Sequence, residues 1–212
     1  MSTKKTKKKS NAGVYALLGK PYLKAINKAV PPQIYDFIKL IPKHGRVLDA
    51  GSAGGRDSRI FSRAGLRVVG IDVVDNFLRE SRRYAPKARF IKMDIKNLSF
   101  PSRYFDAVWA NAILLHIKRA EVPRVIKGFG DVLKPNGLLH VGVKRGRGEK
   151  VVKEALSAGE GRFFTYFSKS EIEKFIKAAG FKIIRSEAVP DMLGRKKTEW
   201  VMVWGQKHAG KG

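Results

Sequence analysis

The chain of 212 residues contains no cysteine, 4 histidines, and 18 acidic residues against 44 lysines and arginines. Each scarcity excludes something. Without cysteine there is no disulfide framework, no thiolate metal site and no cysteine nucleophile. His44, His116, His140 and His208 are scattered along the chain and do not form a metal-ligand set, so no metal is expected. Long apolar runs are missing too. The stretch from Val108 to Ile117 contains Asn111 and His116, and it falls short of the roughly 18–20 residues that a membrane span needs. No apolar segment follows the N-terminal lysines, so no secretory signal is read there, and the expected compartment is the cytoplasm. What the chain has in excess is positive charge. A formal net charge of +26 predicts attraction to polyanions; it also fits a generically basic protein. The hydrophobic fraction of 43% is enough for a sizeable core and excludes wholesale disorder.

Along the chain, residues 1–10 read as a disordered basic tail, because Ser2 to Ser10 hold lysines and no apolar side chain. Residues 11–212 read as one domain, with N-terminal helices over 11–44 and a core over 45–207. Val14, Leu17, Leu18, Tyr22, Leu23, Ile26 and Val30 recur at helical spacing up to Pro31-Pro32, and Ile34 to Ile41 suggest a second short helix. From Arg46 the rhythm becomes strand, loop, helix. Strands are expected at Arg46–Asp49, Arg67–Asp72, Ala88–Met93, Phe105–Trp109 and Gly137–Val143. Amphipathic helices are expected at Asp57–Ala64, Val74–Tyr84 and Ile113–Leu133. This alternation predicts an α/β fold, a mostly parallel sheet with helices on both faces. Ser170, with Glu173 three residues on, suggests a capping box for a helix that Gly180 stops. Phe181–Val189 and Thr198–Gly205 follow with no helix between them and are expected to pair antiparallel.

The most informative segment is Val47-Leu-Asp-Ala-Gly-Ser-Ala-Gly-Gly-Arg-Asp57, a buried strand feeding a glycine turn and then a helix. Glycine lets backbone approach a ligand, and the helix start beyond it offers free N–H groups. Asp49, Asp72 and Asp94 stand at three successive strand ends, on the carboxyl edge where ligands bind such sheets. Each acid alone could be a helix cap; three in register beside a glycine turn are harder to explain that way.

On these residues the chain resembles the class I S-adenosylmethionine (SAM)-dependent methyltransferases, over roughly Gly45 to Gln206. The family's acid-x-Gly-x-Gly-x-Gly motif stands here as Asp49-Ala-Gly51-Ser-Ala53-Gly-Gly55, with alanine at the second glycine. Asp72 and Asp94 match the acids after the second and third strands. Phe105-Asp106-Ala-Val-Trp-Ala-Asn111, Leu133-Lys-Pro-Asn-Gly137 and Ala179-Gly180-Phe181 match later motifs. The resemblance implies a seven-stranded sheet in the order 3-2-1-4-5-7-6, doubly wound, with an antiparallel C-terminal strand. A nicotinamide dehydrogenase is the competing enzyme, but its Gly-x-Gly-x-x-Gly is absent where Gly51-Ser-Ala-Gly-Gly-Arg56 stands.

The resemblance also implies roles. Asp49 would orient the methionyl amine of SAM, and Gly51, Ser52, Gly55 and Arg56 would follow the methionyl and ribose portions. Asp72 with Val73 would take the ribose, Asp94 with Ile95 the adenine, and the Ala110–Asn111 backbone the amine or sulfur. His116 is the candidate general base, needed only if the acceptor must lose a proton; a helix-start histidine satisfied by backbone is the plainer reading. Tyr22, Lys144, Arg145, Arg162 and Tyr166 are candidate acceptor contacts, since cations among aromatics can stack a base or clamp a carboxylate. The aromatics could equally cover the sheet edge. Three acceptor readings stand. RNA, tRNA in particular, is favoured by the charge and by the Arg79–Arg89 and Lys144–Lys153 clusters. A small molecule is the alternative. A non-catalytic RNA-binding module is the third, opposed by the three acids.

Overall fold

The computed structural model describes residues 9–153, 159–195 and 198–209. Helices α1 (Asn11–Ile26) and α2 (Gln33–Lys39) precede β1 (Arg46–Ala50). Then come α3 (Arg56–Arg63), β2 (Arg67–Asp72), α4 (Asp75–Tyr84), β3 (Arg89–Lys92), β4 (Phe105–Asn111), α5 (Val122–Val132) and β5 (Leu133–Lys144). A hairpin, β6 (Glu149–Val152) and β7 (Arg162–Thr165), leads to α6 (Lys169–Ala178), β8 (Phe181–Pro190) and β9 (Glu199–Lys207). Seven strands form one sheet in the order β3-β2-β1-β4-β5-β9-β8. The first five are parallel, and β9 runs antiparallel to both β5 and β8. The expected order is met once the β6–β7 hairpin, which the sequence reading missed, is set aside in its own two-stranded sheet.

Side chains alternate across each strand and so build two layers. Leu48, Val108, Leu139 and Val203 meet Ile126 and Phe129 of α5 and Ile172 and Ile176 of α6. Val47, Val68, Trp109 and Trp204 face the other way, onto Phe37 of α2 and Phe61 of α3. Asp49 shares the parity of Val47, which aims its carboxylate at α3. The family of faces therefore decides where the site's polar groups can point.

Four boundaries differ from expectation. The expected tail falls mostly outside the described residues, but Lys9 bonds Glu160 at 2.7 Å and the Ser10 hydroxyl accepts from Gly13 N–H, capping α1. Helix α1 breaks at Gly19 (φ 52°, ψ −141°), two residues before Pro21, because proline cannot continue a helix through its own N–H. The expected helix over Ile113–Leu133 starts only at Val122; two short 3₁₀ turns, Leu114–His116 and Arg119–Glu121, replace its first half. The cap of α6 is Ser168, whose extended backbone lets its hydroxyl accept from Glu171 N–H at 3.2 Å. Ser170 lies inside the first turn, and Glu173 accepts instead from the Ser186 hydroxyl. Among the described residues, no helix is long and apolar enough to cross a membrane.

Candidate active site

The chain turns sharply at the end of β1. Gly51 has φ 78°, and its N–H and that of Ser52 both donate to the Ile71 carbonyl at 2.9 Å. A side chain at Gly51 would meet Ile113 at 2.7 Å, so the position is closed to other residues by space as well as by φ. Ala53, at the family's usual glycine, also takes a left-handed φ of 44°. Its N–H donates to Asp72 Oδ2 at 2.9 Å, a charge-assisted bond that helps hold the strained turn.

Two adjoining cavities open along this turn. The first, of about 320 Å³, is lined by Asp72, Val73, Asp94, Ile95 and His116 beneath Asn11 and Tyr15 of α1. The second, of about 140 Å³, is lined by Asp49, Ser52, Arg56, Asn111, Arg162 and Trp200. Tyr22, Gly51, Ala53 and Ala112 border both. The aromatic rings of Tyr15, Tyr22 and Phe77 form the roof, with Tyr22 stacked on Phe77 at 5.9 Å.

Charge in the second cavity is tightly organised. Asp49, 3% exposed, accepts from the Ser58 hydroxyl at 2.6 Å. Burial and the neighbouring Asp57 push its carboxyl up to about 7. Burial opposes ionisation of Asp57 as well, but Arg56 at 2.6 and 2.9 Å and the Trp109 indole N–H at 2.9 Å outweigh it, so that carboxyl sits below its usual range. Arg56 also donates to the carbonyls of Ile26 and Ala29, tying the end of α1 to the glycine turn. Asp191 accepts from Arg195 and from the Trp200 indole; despite partial burial these partners hold it down to about 2. In the first cavity burial raises Asp72, although Ala53 and Val74 each donate an N–H to it. Asp94 accepts from Lys96 N–H at 2.9 Å.

His116 lines the first cavity with both ring nitrogens engaged. The Tyr15 hydroxyl lies 2.7 Å from Nε2, and Nδ1 lies 3.1 Å from the Phe163 carbonyl and 3.0 Å from the Asn11 amide nitrogen. Burial, reinforced by the Arg162 and Lys144 charges, pushes this imidazole down to about 3, so it is neutral at physiological pH. Arg162 in turn donates to the Tyr15 hydroxyl at 2.9 Å. The Asn11 amide bonds both the N–H and the carbonyl of Phe163 at 2.8 Å.

The fold thus brings Asp49, Gly51, Ser52, Arg56, Asn111, Tyr22 and Arg162 to one cavity and Asp72, Val73, Asp94, Ile95 and His116 to the next. Five expected site residues lie elsewhere. Gly55 (φ 80°) lines neither cavity; a Cβ there would meet Ser81 and Phe90 at 3.0 Å, so its smallness serves the packing of α4 and β3. Ala110 is fully buried among core side chains, and the cavities meet Asn111 and Ala112 beyond it. Lys144 is 3% exposed, its ammonium 4.0 Å from the centre of the Phe164 ring. Arg145 pairs with Glu199 at the surface. Tyr166 packs beside Phe164. The residues that sequence reading missed are Asn11, Ser58, Asp191 and Arg195. Asn11 depends on a contact with a segment far along the chain, whereas Ser58, Asp191 and Arg195 meet near neighbours in sequence, in a pattern too common to single them out. Among the described residues no three side chains are grouped to hold a metal ion.

With this geometry in hand, known proteins bear on it. Residues 47–137 match a family model described as a methyltransferase domain. A curated relative, the S-adenosyl-L-methionine-dependent Diels-Alderase of Talaromyces variabilis, is 33% identical over 105 residues, which are 46% of this chain and 35% of that protein. The chain spans between 23% and 44% of the length of the first curated relatives it matches. Among solved structures, a SAM-dependent methyltransferase from Methanosarcina mazei superposes with a TM-score of 0.73 at 22% identity, over 84% of this chain and 98% of that one. The 1,6-didemethyltoxoflavin N1-methyltransferase of Burkholderia thailandensis, solved with that compound and S-adenosylhomocysteine, gives 0.71 at 21% identity, over 88% and 81%.

Proposed function

We propose that the chain is a class I SAM-dependent methyltransferase, binding SAM across the two joined cavities and transferring the methyl group to a small acceptor. The observation that carries this reading is a pair of buried oxygens. Ser52 Oγ and Asn111 Oδ1 are buried with no hydrogen-bond partner, in two residues that line the cavity beside Asp49. Buried acceptors of this kind are costly unless a ligand supplies donors. An ammonium group carries three N–H donors, and the amino acid end of SAM fits the set.

Asp49, Ser52 and Asn111 would then hold the methionyl end, and Gly51 would let it pass close to the backbone. Asp72 would accept from the ribose hydroxyls. Each of its oxygens takes one backbone N–H and keeps a second lone pair for them. Asp94 and Ile95 would border the adenine. When bound, SAM supplies an activated methyl carbon on a sulfonium. The chain's part is alignment and exclusion of water, the roof being Tyr15, Tyr22 and Phe77. His116 has both nitrogens committed, and we assign it to holding α1 in place over the cavity.

The acceptor reading turns on shape. The second cavity, part of which the methionyl end would occupy, is closed in by Tyr22, Met192, Leu193 and Trp200. A compact acceptor fits such a space, in keeping with the heterocycle named with the Burkholderia enzyme. RNA as the acceptor rests on charge alone, the +26 and the Arg79–Arg89 and Lys144–Lys153 clusters. Calorimetry with S-adenosylhomocysteine tests the cofactor: wild type binds, and Asp72→Ala weakens binding at least tenfold. No binding by wild type, or an unchanged affinity in the variant, refutes the assignment.

A further inference from the structure

The positive charge is unevenly placed on the fold. On the side of α5 and α6, cations meet acids: Lys127 pairs with Asp131 at 3.0 Å, Lys169 with Glu173 at 3.8 Å, and Arg119 with Glu171. The opposite side differs. Helix α1 exposes Lys20 and Lys24 and contains no acid, and Lys28 is exposed just beyond its end. Helix α4 exposes Arg79, Arg82 and Arg83, and α3 adds the exposed Arg63 and the half-buried Arg59. The acids of α4 are already taken. Asp75 binds Lys92 at 2.6 Å, and Glu80 lies between Lys20 at 3.3 Å and Arg83 at 3.0 Å.

Between α1 and α4 runs a groove of about 350 Å³ lined by Lys20, Lys24, Arg83, Asn27, Tyr84 and Glu80, a single acid shared by Lys20 and Arg83. Tyr84 is 36% exposed, with the Arg59 guanidinium 4.4 Å from its ring centre. Cations spaced along a groove with an accessible aromatic are what a single strand requires: the cations neutralise phosphates and the ring stacks a base. A membrane surface needs apolar anchors beside its cations, and Leu17 is the one large apolar side chain that α1, α3 or α4 leaves more than half exposed.

We propose that the groove between α1 and α4 docks single-stranded nucleic acid. The docking is independent of the methyl donor, since none of these residues touches either cavity's polar groups. Fluorescence anisotropy with labelled 20-nucleotide oligo(U) and oligo(dT), over 50–200 mM salt, tests it; a preference between the two separates RNA from DNA. Three proteins are compared: wild type, Lys20→Gln/Lys24→Gln/Arg83→Gln, and the control Arg124→Gln/Lys174→Gln/Lys177→Gln on the other side, which loses equal charge. All three are first shown to melt at similar temperatures. The groove variant should lose more than tenfold affinity, and its slope of log affinity on log salt should become shallower by about 2, three contacts at roughly 0.7 each. The control should lose less than threefold. Tyr84→Ala should lose about tenfold with little change of slope. Equal losses in both charge variants, no binding by wild type at 50 mM salt, or binding to phosphatidylserine vesicles without binding to either oligonucleotide would each overturn the proposal.

Discussion

Replacing Asp49 by asparagine removes a charge that the free protein holds at a disadvantage. The carboxyl is buried against Asp57 and titrates at about 7 instead of 3.8. Its folded value therefore lies above its unfolded one. The stability it contributes is complete below about 4 and is lost as pH rises through 7. Between pH 5 and pH 8 that loss amounts to roughly 2.6 kcal/mol, from 1.36 kcal/mol per pKa unit. Asparagine does not titrate and keeps an oxygen for the Ser58 hydroxyl. Asp49→Asn should therefore gain stability relative to wild type as pH rises, a widening gap that urea titrations at pH 5 and pH 8 would measure.

Binding should move the opposite way. The ionised carboxylate is the form that pairs with an ammonium, so wild-type affinity for S-adenosylhomocysteine should fall by about 50-fold from pH 7 to pH 5, ~2.3 kcal/mol. In Asp49→Asn the affinity should be weak and largely flat over that range. A stability gap that does not change with pH, together with wild-type binding that is flat from pH 5 to 7, would refute the reasoning.

Gly51→Ala should abolish S-adenosylhomocysteine binding in calorimetry and cost stability, because its Cβ would meet Ile113 at 2.7 Å on a backbone with φ 78°. Trp109→Phe keeps the stacked ring on His140 but removes the N–H that Asp57 accepts. It should cost about 1–3 kcal/mol in denaturant titrations. The neutral His116 predicts that, between pH 5 and 8, turnover in His116→Asn and wild type should show the same pH profile; a limb near pH 6.5 present only in wild type would show His116 titrating there.

Much of the fold was legible because its signals are local. Strand β1, the glycine turn and α3 each announce themselves within a few residues, and parity along β1 fixes which face Asp49 addresses. Asp72 and Asp94 were legible for the same reason, as strand ends counted from their own strands. The hairpin β6–β7 was missed because its strands are only four residues each and Gly148 and Gly159 flank it in place of a tight turn. The site's upper wall was partly illegible on other grounds. Asn11 reaches Phe163 and Tyr15 reaches His116 across more than 100 residues, and no spacing in the chain encodes such a meeting. Lys144 and Arg145 left the fifth strand where expected, but the added hairpin covers one and the β9 edge takes up the other.

The three tryptophans are unequally placed. Trp109 and Trp204 are locked in the layer beneath α2, around the ring of His140, where Trp109 stacks at 3.6 Å and Trp204 donates its N–H. Trp200 alone borders a cavity, with its indole anchored on Asp191. The chain thus has a built-in optical probe. Emission from two indoles forms a constant background, and a change in colour or yield on adding a candidate acceptor reads the occupancy of one wall, without a label and before any product is formed.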